Sequence, residues 1–264
     1  MIAPPELFDT HAHLDMPQFA GDLAGIMARA RQAGVERFVT IGIDLASSRK
    51  AIELARTNPG VSATAGIHPE SAGKTSQQDI DKLAELAKEP GVVAIGEIGL
   101  DFYHDYAPAE KQIEVFRRQL ELASRLRLPA VIHSRKAEKE VTLVLKEWLG
   151  SFPSDRPGII HCFNESLETA ETYLKMGFYI SLGSYIGYPS AKAIREVVKC
   201  LPAERLVLET DCPFLPPQSH RGERNEPAYI AETARELAMI KGIGLEEVAK
   251  LTSDNARAVF GIGA

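Results

Sequence analysis

The sequence predicts an α/β protein that folds as a single-domain (β/α)8 TIM barrel. Eight short apolar runs recur along the 264 residues, segments with helical periodicity separate them, and no linker or low-complexity tract interrupts the series. Continuous apolar runs are typical of parallel strands that are buried on both faces. Eight such strands alternating with helices favour a closed barrel, although an open doubly wound sheet would show the same alternation. We assign residues 1–264 to this one domain.

The strand candidates are rich in valine and isoleucine, and glycine or proline stands beside several of them. Proline at 90 and 157, each followed by glycine, marks a turn from a helix into a strand. In chain order, the candidates occupy residues 6–14, 37–43, 61–68, 91–100, 128–134, 158–163, 178–183 and 205–210.

Helices are predicted between these strands from apolar residues that recur every three or four positions. Residues 109–127 give the clearest pattern, and residues 245–259 repeat it. The segment 212–227 has no apolar periodicity, and loops of this length within a compact domain are often functional. The apolar stripe of 109–127 consists of Ile113, Phe116, Leu120, Ala123 and Leu126.

Composition and charge narrow the possible classes of function. A net charge of −6 argues against a broadly basic nucleic-acid binder but allows a small basic rim around a site. Cys162, Cys200 and Cys212 show no CxxC spacing, which argues against a disulfide framework and is typical of a reducing compartment. We find no secretory signal and no apolar stretch of about 18 residues that would cross a membrane. We therefore expect a cytoplasmic protein without membrane association or an obligate protein partner.

Side chains that bind metals well stand near the carboxyl ends of five strand candidates. Buried strands do not normally carry unpaired polar groups, and the active sites of barrels lie at the carboxyl ends of the strands. We therefore expect these side chains to meet at one mouth of the barrel. The six residues are His11, His13, Glu97, His133, His161 and Asp211.

The chemistry of this set predicts a metal centre. His11 and His13 point the same way from one strand, about 6–7 Å apart along its axis. Imidazole suits Zn²⁺, and carboxylates also suit Mg²⁺ or Mn²⁺. Four histidines and two carboxylates exceed the needs of one tetrahedral ion, so we expect two divalent ions that share a carboxylate. Each residue taken alone could instead be a buried structural side chain.

Several motifs together resemble the TatD family of metal-dependent hydrolases, within the wider amidohydrolase superfamily. From residue 8 to about residue 260 they read FDTHAHLD, GIHPE, GEIGLDFYHD, VIHSR, HCF, SLGSY and ETDCPFLPP followed by RNEP. The resemblance implies a TIM-type barrel with a binuclear metal centre. The implied ligands are His11, His13 and Asp211 for the first ion, His133 and His161 for the second, and Glu97 as the bridge.

Glu97 and Asp211 are the candidate catalytic residues. A pair of metal ions lowers the pKa of a bound water and holds the attacking and leaving oxygens, so the nucleophile would be a metal-bound hydroxide. Asp211 is the candidate proton acceptor, since a ligand carboxylate lies within reach of that water. A purely ligating role for Asp211 is the alternative.

Four residues are candidates for binding substrate. His68 and Arg135 match motif positions near the substrate in TatD relatives. The guanidinium groups of Arg135 and Arg224 suit phosphate oxygens, and the Tyr103 ring could stack on a base. An exposed arginine is usually only solvated, however, and Tyr103 could instead pack against a neighbouring loop.

Residues beside the ligands are expected to orient them or to pack. Asp9 and Glu209 lie deeper in their strands and could orient ligands, or form a structural ion pair. The alternation of side chains predicts that Cys162 and Cys212 point away from the mouth.

Hydrolysis of phosphodiester bonds is the leading hypothesis for function. The family resemblance implies a metal-dependent deoxyribonuclease that trims the 3′ ends of single-stranded DNA or RNA. The acidic overall charge favours binding at a strand end over tracking along a backbone. The alternative is a metal-dependent esterase or amidohydrolase, for example one that deacylates aminoacyl-tRNA. A catalytically silent barrel is a third possibility, and the complete ligand set argues against it.

Overall fold

Eight parallel strands pair in their chain order in the computed structural model, which describes residues 4–263. Beyond the eighth strand, Cys212 forms a bridge with Ala12, and the Asp211 amide donates to the His11 carbonyl at 2.9 Å. The sheet therefore closes into the predicted barrel, and the open sheet is excluded. The strands are Leu7–Ala12 (β1), Val35–Thr40 (β2), Val61–Ala65 (β3), Val92–Asp101 (β4), Ala130–Arg135 (β5), Gly158–Ile160 (β6), Tyr179–Leu182 (β7) and Leu206–Leu208 (β8).

Each predicted apolar run overlaps one of these strands, but several strands end earlier than predicted, and two of these early ends lie beside the predicted site. β6 stops at Ile160 and β8 at Leu208, whereas the sequence predicted strands to residues 163 and 210. The backbone then turns, and Cys162 and Asp211 adopt left-handed φ angles of 47° and 55°. Side chains beyond these strand ends therefore no longer follow strand alternation. The predicted domain limits include residues 1–3 and 264, which lie outside the described residues.

Helices surround the barrel, and within residues 4–263 none has the length and apolar character needed to cross a membrane. The apolar stripe predicted in 109–127 faces the strands, with Phe116, Leu120 and Ala123 buried. The helices are Leu23–Gln32 (α1), Leu45–Thr57 (α2), Gln77–Leu86 (α3), Ala109–Leu126 (α4), Glu138–Ser151 (α5), Leu167–Lys175 (α6), Lys192–Cys200 (α7), Ile230–Lys241 (α8) and Leu245–Phe260 (α9).

The barrel interior is apolar at one end and polar at the other. Phe8 packs against Phe260 at the end of α9, with ring centroids 6.1 Å apart. Full burial of an apolar side chain of this kind contributes about 1.5–3 kcal/mol. On β5 and β6, the inward residues Val131 and Ile159 precede His133 and His161 by two positions. The apolar layer thus forms a floor, and the histidines stand above it at the carboxyl end of the barrel.

Candidate metal centre

The first predicted ligand group is assembled by β1 and the turn after β8. His11 Nε2 lies 3.3 Å from His13 Nε2, and Asp211 Oδ1 lies 3.3 Å from His13 Nε2 and 3.7 Å from His11 Nε2. Ligand atoms bonded to one tetrahedral ion at about 2.0–2.1 Å lie about 3.3 Å apart. Both imidazoles are buried, and their Nδ1 atoms have no hydrogen-bond partner among the described residues. This group therefore fits a divalent ion.

Glu97 connects the first group to the remaining histidines. Its Oε2 lies 3.5 Å from His11 Nε2, while its Oε1 lies 2.8 Å from His133 Nδ1 and 3.6 Å from His161 Nε2. The side chain is buried on β4. Its two oxygens face different histidines, which is the arrangement that a bridging carboxylate requires.

The charge states of Glu97, His11 and Asp211 suit metal binding. Burial alone would raise the pKa of the Glu97 carboxyl, but His161 and its other histidine neighbours lower it well below the usual range. Burial and the neighbouring His161 lower the pKa of His11, which keeps its ring neutral. Ionised carboxylates and neutral imidazoles are the forms that bind metals. Asp211 is likewise ionised, because its histidine neighbours outweigh burial and lower its pKa.

Glu209 orients His161 from below. His161 Nδ1 donates to Glu209 Oε2 at 2.9 Å, and the Ser181 hydroxyl donates to the same oxygen at 2.6 Å. This bond keeps a proton on Nδ1, so Nε2, which lies toward Glu97, is the nitrogen that would bind a metal. The orienting role considered for Glu209 therefore has direct geometric support.

Asp9 has a different role from Glu209. Its carboxyl accepts from the Thr210 amide at 3.0 Å, from the Thr210 hydroxyl at 2.6 Å and from the His11 amide at 3.3 Å. Burial raises the pKa of Asp9 to about 7. These bonds fasten β1 to the segment that carries Asp211, so Asp9 positions backbone rather than an imidazole ring.

Asn225 anchors the long loop 212–227 to the barrel. Its side-chain amide is buried and donates to the carbonyls of Thr210 at 2.8 Å and Phe214 at 2.6 Å. The next residue, Glu226, accepts two hydrogen bonds from Arg29 of α1, at 2.8 and 2.9 Å. The loop thus holds the backbone on both sides of Asp211.

Replacing Asn225 by alanine is expected to lower the free energy of unfolding by about 2 kcal/mol, because buried carbonyls lose their donor. For a chain of this size, the thermal midpoint should fall by several degrees, roughly 4 °C. Calorimetry of the chelator-treated protein measures the change. Asn164, which is exposed, is the matched control, and its alanine variant should keep the wild-type midpoint. Equal midpoints for both variants would contradict the anchoring role.

Arg224 contributes to the same anchor. Its guanidinium donates to Glu226 at 2.5 Å and to the Gln18 carbonyl at 2.7 Å, and it covers the Phe19 ring. The sequence predicted a substrate contact for Arg224. That contact stays a prediction: the guanidinium bonds neighbouring protein groups, and Arg224 is not among the residues that line the pocket described next.

A pocket of about 590 Å³ opens beside the centre, between the loops that follow β5 and β6. Arg135 and Lys136 supply positive charge to its wall. The Arg135 guanidinium lies 4.3 Å from the centroid of the Tyr103 ring, which is 59% exposed. Two of the predicted substrate residues, Arg135 and Tyr103, therefore stand together at the rim of the centre.

His68 lies beside the metal centre itself and not at its rim. Its Nδ1 accepts from the Glu70 amide at 3.2 Å, and its Nε2 lies 3.8 Å from Glu97 Oε1. Burial lowers the pKa of His68 to about 4, so the ring is neutral at physiological pH. Since Nδ1 accepts, the proton resides on Nε2, which makes His68 a hydrogen-bond donor facing the centre.

Glu165 is a half-buried acid in the wall of the pocket. The Ser134 hydroxyl donates to its Oε1 at 2.9 Å, while its Oε2 is buried with no hydrogen-bond partner among the described residues. Burial raises the pKa of Glu165 to about 7. Between the ordinary carboxyl value of 4.5 and about 7, the unfolded chain is ionised while the folded protein keeps the proton. Stability is therefore lost as the pH rises through this window.

Replacing Glu165 by glutamine is expected to remove that loss. Between pH 4.5 and pH 7.5, the variant should gain about 1–2 kcal/mol of unfolding free energy relative to wild type, allowing for partial exposure. Urea unfolding at several pH values measures the difference. The exposed Glu168 of α6 provides a control glutamine variant that should track wild type. Parallel stability curves for wild type and the Glu165 variant would contradict the prediction.

Asp101 is a functional candidate that the sequence analysis missed. It is buried at the end of β4, and its Oδ2 lies 2.9 Å from His104 Nδ1 and 3.5 Å from His133 Nε2. Its other oxygen accepts from the amides of Tyr103 and His104. Burial would raise its pKa, but these histidines hold it well below the usual range. The available signal was its position four residues after Glu97 in the GEIGLD motif.

The side chain of Cys162 points in a different direction from the one predicted. The sequence predicted that its side chain points toward the helices, but it lines the pocket. The reason is the early end of β6 and the left-handed backbone of Cys162. Cys212, in contrast, is fully buried in the apolar core, as expected for a packing residue.

Comparison with known proteins gives one consistent family. A sequence model described as TatD related DNase matches residues 8–261. The uncharacterized metal-dependent hydrolase YabD of Bacillus subtilis is 42% identical, with 97% of this chain and 99% of that protein covered. The 3′-5′ ssDNA/RNA exonuclease TatD of Erwinia amylovora is 37% identical, with 97% of this chain and 100% of that protein covered.

A solved structure supports the same assignment. YJJV, a TatD homologue from Escherichia coli K12, matches with a TM-score of 0.92 at 32% identity, covering 97% of this chain and 98% of that chain. These matches confirm the resemblance that the motifs predicted. The chain is a metal-dependent hydrolase and belongs to the TatD related DNase family.

Proposed function

We propose that this hydrolase is a nuclease that removes nucleotides from the 3′ ends of single-stranded DNA or RNA with two divalent ions. The observation that carries the proposal is the position of Glu97 between two groups of histidines, beside a pocket that Arg135 and Lys136 help to line. The name of the Erwinia amylovora relative describes this activity, and its match covers nearly the whole chain.

The proposed ligand sets follow from these distances. His11, His13 and Asp211 would hold the first ion, His133 and His161 the second, and Glu97 would contact both. When bound, a pair of Zn²⁺, Mg²⁺ or Mn²⁺ ions supplies Lewis acidity that activates water and stabilises charge on the reacting phosphate. Histidine nitrogens favour Zn²⁺, while the carboxylates leave Mg²⁺ and Mn²⁺ open.

Residues of this chain would supply the remaining chemistry. Asp211 is ionised and stands within the first ligand group, so its carboxylate is the proposed acceptor of a proton from the attacking water. His68 Nε2–H is a donor that faces the centre and could bond a phosphate oxygen. Both groups act near Glu97, the proposed bridging ligand.

The rim would bind the nucleic acid. The planar guanidinium of Arg135 suits a phosphate oxygen pair, and the exposed Tyr103 ring beneath it offers a stacking surface for a base. Because the overall charge is −6, this small basic region favours a strand end over a long backbone.

The three free cysteines support a reducing compartment such as the cytoplasm.

The test uses single-stranded DNA and RNA labelled at the 5′ end, incubated with Mg²⁺, Mn²⁺ or Zn²⁺ in turn. A ladder of products shortened from the 3′ end is expected, and the His133→Ala variant should produce none. Nucleic acid left intact with every metal would overturn the proposal. An aryl acetate assayed in parallel identifies the esterase alternative, which would cleave the ester and leave DNA and RNA intact.

A further inference from the structure

Cys162 lies among groups that can bind a metal ion. Its sulfur, a nitrogen of His161 and a carboxylate oxygen of Asp211 all lie within 4.8 Å of one another. All three residues line the pocket beside the centre. A thiol, an imidazole and a carboxylate in this proximity make a mixed ligand set of the kind that zinc accepts.

His161 offers a free ligand atom to this set. The residue is only 7% exposed, and its Nδ1 is occupied by the bond to Glu209. The nearest oxygen of Glu97 is 3.6 Å from Nε2, beyond hydrogen-bond distance, and Nε2 has no hydrogen bond within the described part of the chain. Nε2 is therefore an unpartnered nitrogen of a buried imidazole on the side of Glu97, and His161 is one of the three residues that meet at Cys162.

We propose that Cys162, His161 and Asp211 form an alternative binding position that takes a thiophilic divalent ion such as Zn²⁺ or Cd²⁺. Thiolate sulfur selects soft ions, whereas Mg²⁺ and Mn²⁺ prefer oxygen ligands. Binding replaces the S–H bond of Cys162 by a sulfur–metal bond and releases the proton to solvent. The inference rests on the ligand set of the proposed function but does not depend on its substrate.

Competition for His161 gives this position a regulatory consequence. One lone pair on Nε2 can serve one ion at a time. A soft ion bound at Cys162 would occupy His161, which the group around Glu97 also needs. It would also occupy Asp211, which belongs to the first ligand group. Excess Zn²⁺ or Cd²⁺ should therefore inhibit an enzyme loaded with Mn²⁺, while excess Mg²⁺ should not.

The direct test is titration of the chelator-treated protein with Cd²⁺, monitored by the ultraviolet charge-transfer absorption of cadmium bound to thiolate. The absorption should saturate near one Cd²⁺ per chain in wild type and in the Cys200→Ser control, which removes an exposed thiol. It should be lost in Cys162→Ser. Absorption that persists in Cys162→Ser, or that is missing from wild type, would overturn the inference.

A second measurement uses the wild-type chain, so its result does not depend on whether the Cys162→Ser variant folds. Cd²⁺ should protect Cys162 from alkylation at least tenfold, as quantified by mass spectrometry, whereas Mn²⁺ should not protect it. Equal alkylation with and without Cd²⁺ would also overturn the inference. Neither readout requires nuclease activity, so a protein that leaves DNA intact but gives the cadmium absorption would refute the proposed substrate and support this position.

Discussion

Replacing Glu97 by glutamine is expected to slow hydrolysis of single-stranded DNA by about 10³-fold, equal to about 4 kcal/mol of transition-state stabilisation. Glutamine keeps the size of the side chain but loses the negative charge and one ligand oxygen. In wild type those two oxygens lie 3.5 Å from His11 and 2.8 Å from His133. A single change therefore weakens the connection between the two halves of the centre. The rate constant kcat is the quantity to compare.

Metal content separates a ligand role from a general electrostatic one. After dialysis against chelator and reloading with Mn²⁺, the Glu97 variant should retain at most one ion per chain, compared with two for wild type. The control is glutamine at Glu70, which stands 3.8 Å from His68 at the same mouth and is 41% exposed as a side chain. That variant should keep its ions and its rate within about twofold. Full ion content and full activity in the Glu97 variant would show that the Glu97 carboxylate is not a ligand of the centre.

The fold and the six proposed ligands could be predicted because each ligand residue stands in, or directly after, the apolar run that predicts its strand. Val131 precedes His133, and Ile159 precedes His161, so the pattern that predicts a buried strand also gives the inward direction of the following histidine. Parallel strands end at one face of a barrel. Residues far apart in sequence are thereby brought together without any knowledge of the loops.

The environment of the ligands depends on features that strand alternation does not encode. Cys162 reaches the pocket because β6 ends two residues before it and the backbone turns to φ 47°. Arg224 is engaged by Glu226, which also binds Arg29 from a helix near the other end of the chain. Asp101 contacts His104, three residues later in an irregular loop. Turn conformations and long-range ion pairs decide these positions.

Removal of the carboxyl group beneath His161 is expected to produce the second large effect. Burial would lower the pKa of His161, but the charges of Glu209 and Glu97 outweigh it and raise the pKa to about 10. The metal-free ring is therefore protonated at neutral pH, and a metal at Nε2 would replace that proton while Nδ1 keeps its bond to Glu209. Replacing Glu209 by alanine removes charge and acceptor together and leaves the buried Nδ1–H unpaired, at a cost of about 1–3 kcal/mol. Partners of this kind typically change metal affinity by about 10–100-fold.

Two substitutions separate these contributions. Glu209→Gln keeps an oxygen that can accept from His161 Nδ1, so it should lose about tenfold in Mn²⁺ affinity through charge alone, whereas Glu209→Ala should lose about 100-fold. Isothermal titration of the chelator-treated variants measures both values. The exposed Glu204 just before β8 gives a control glutamine variant that should match wild type. Equal affinities for the alanine variant and wild type would mean that His161 needs no orienting partner, and the second ligand group would then lose its structural basis.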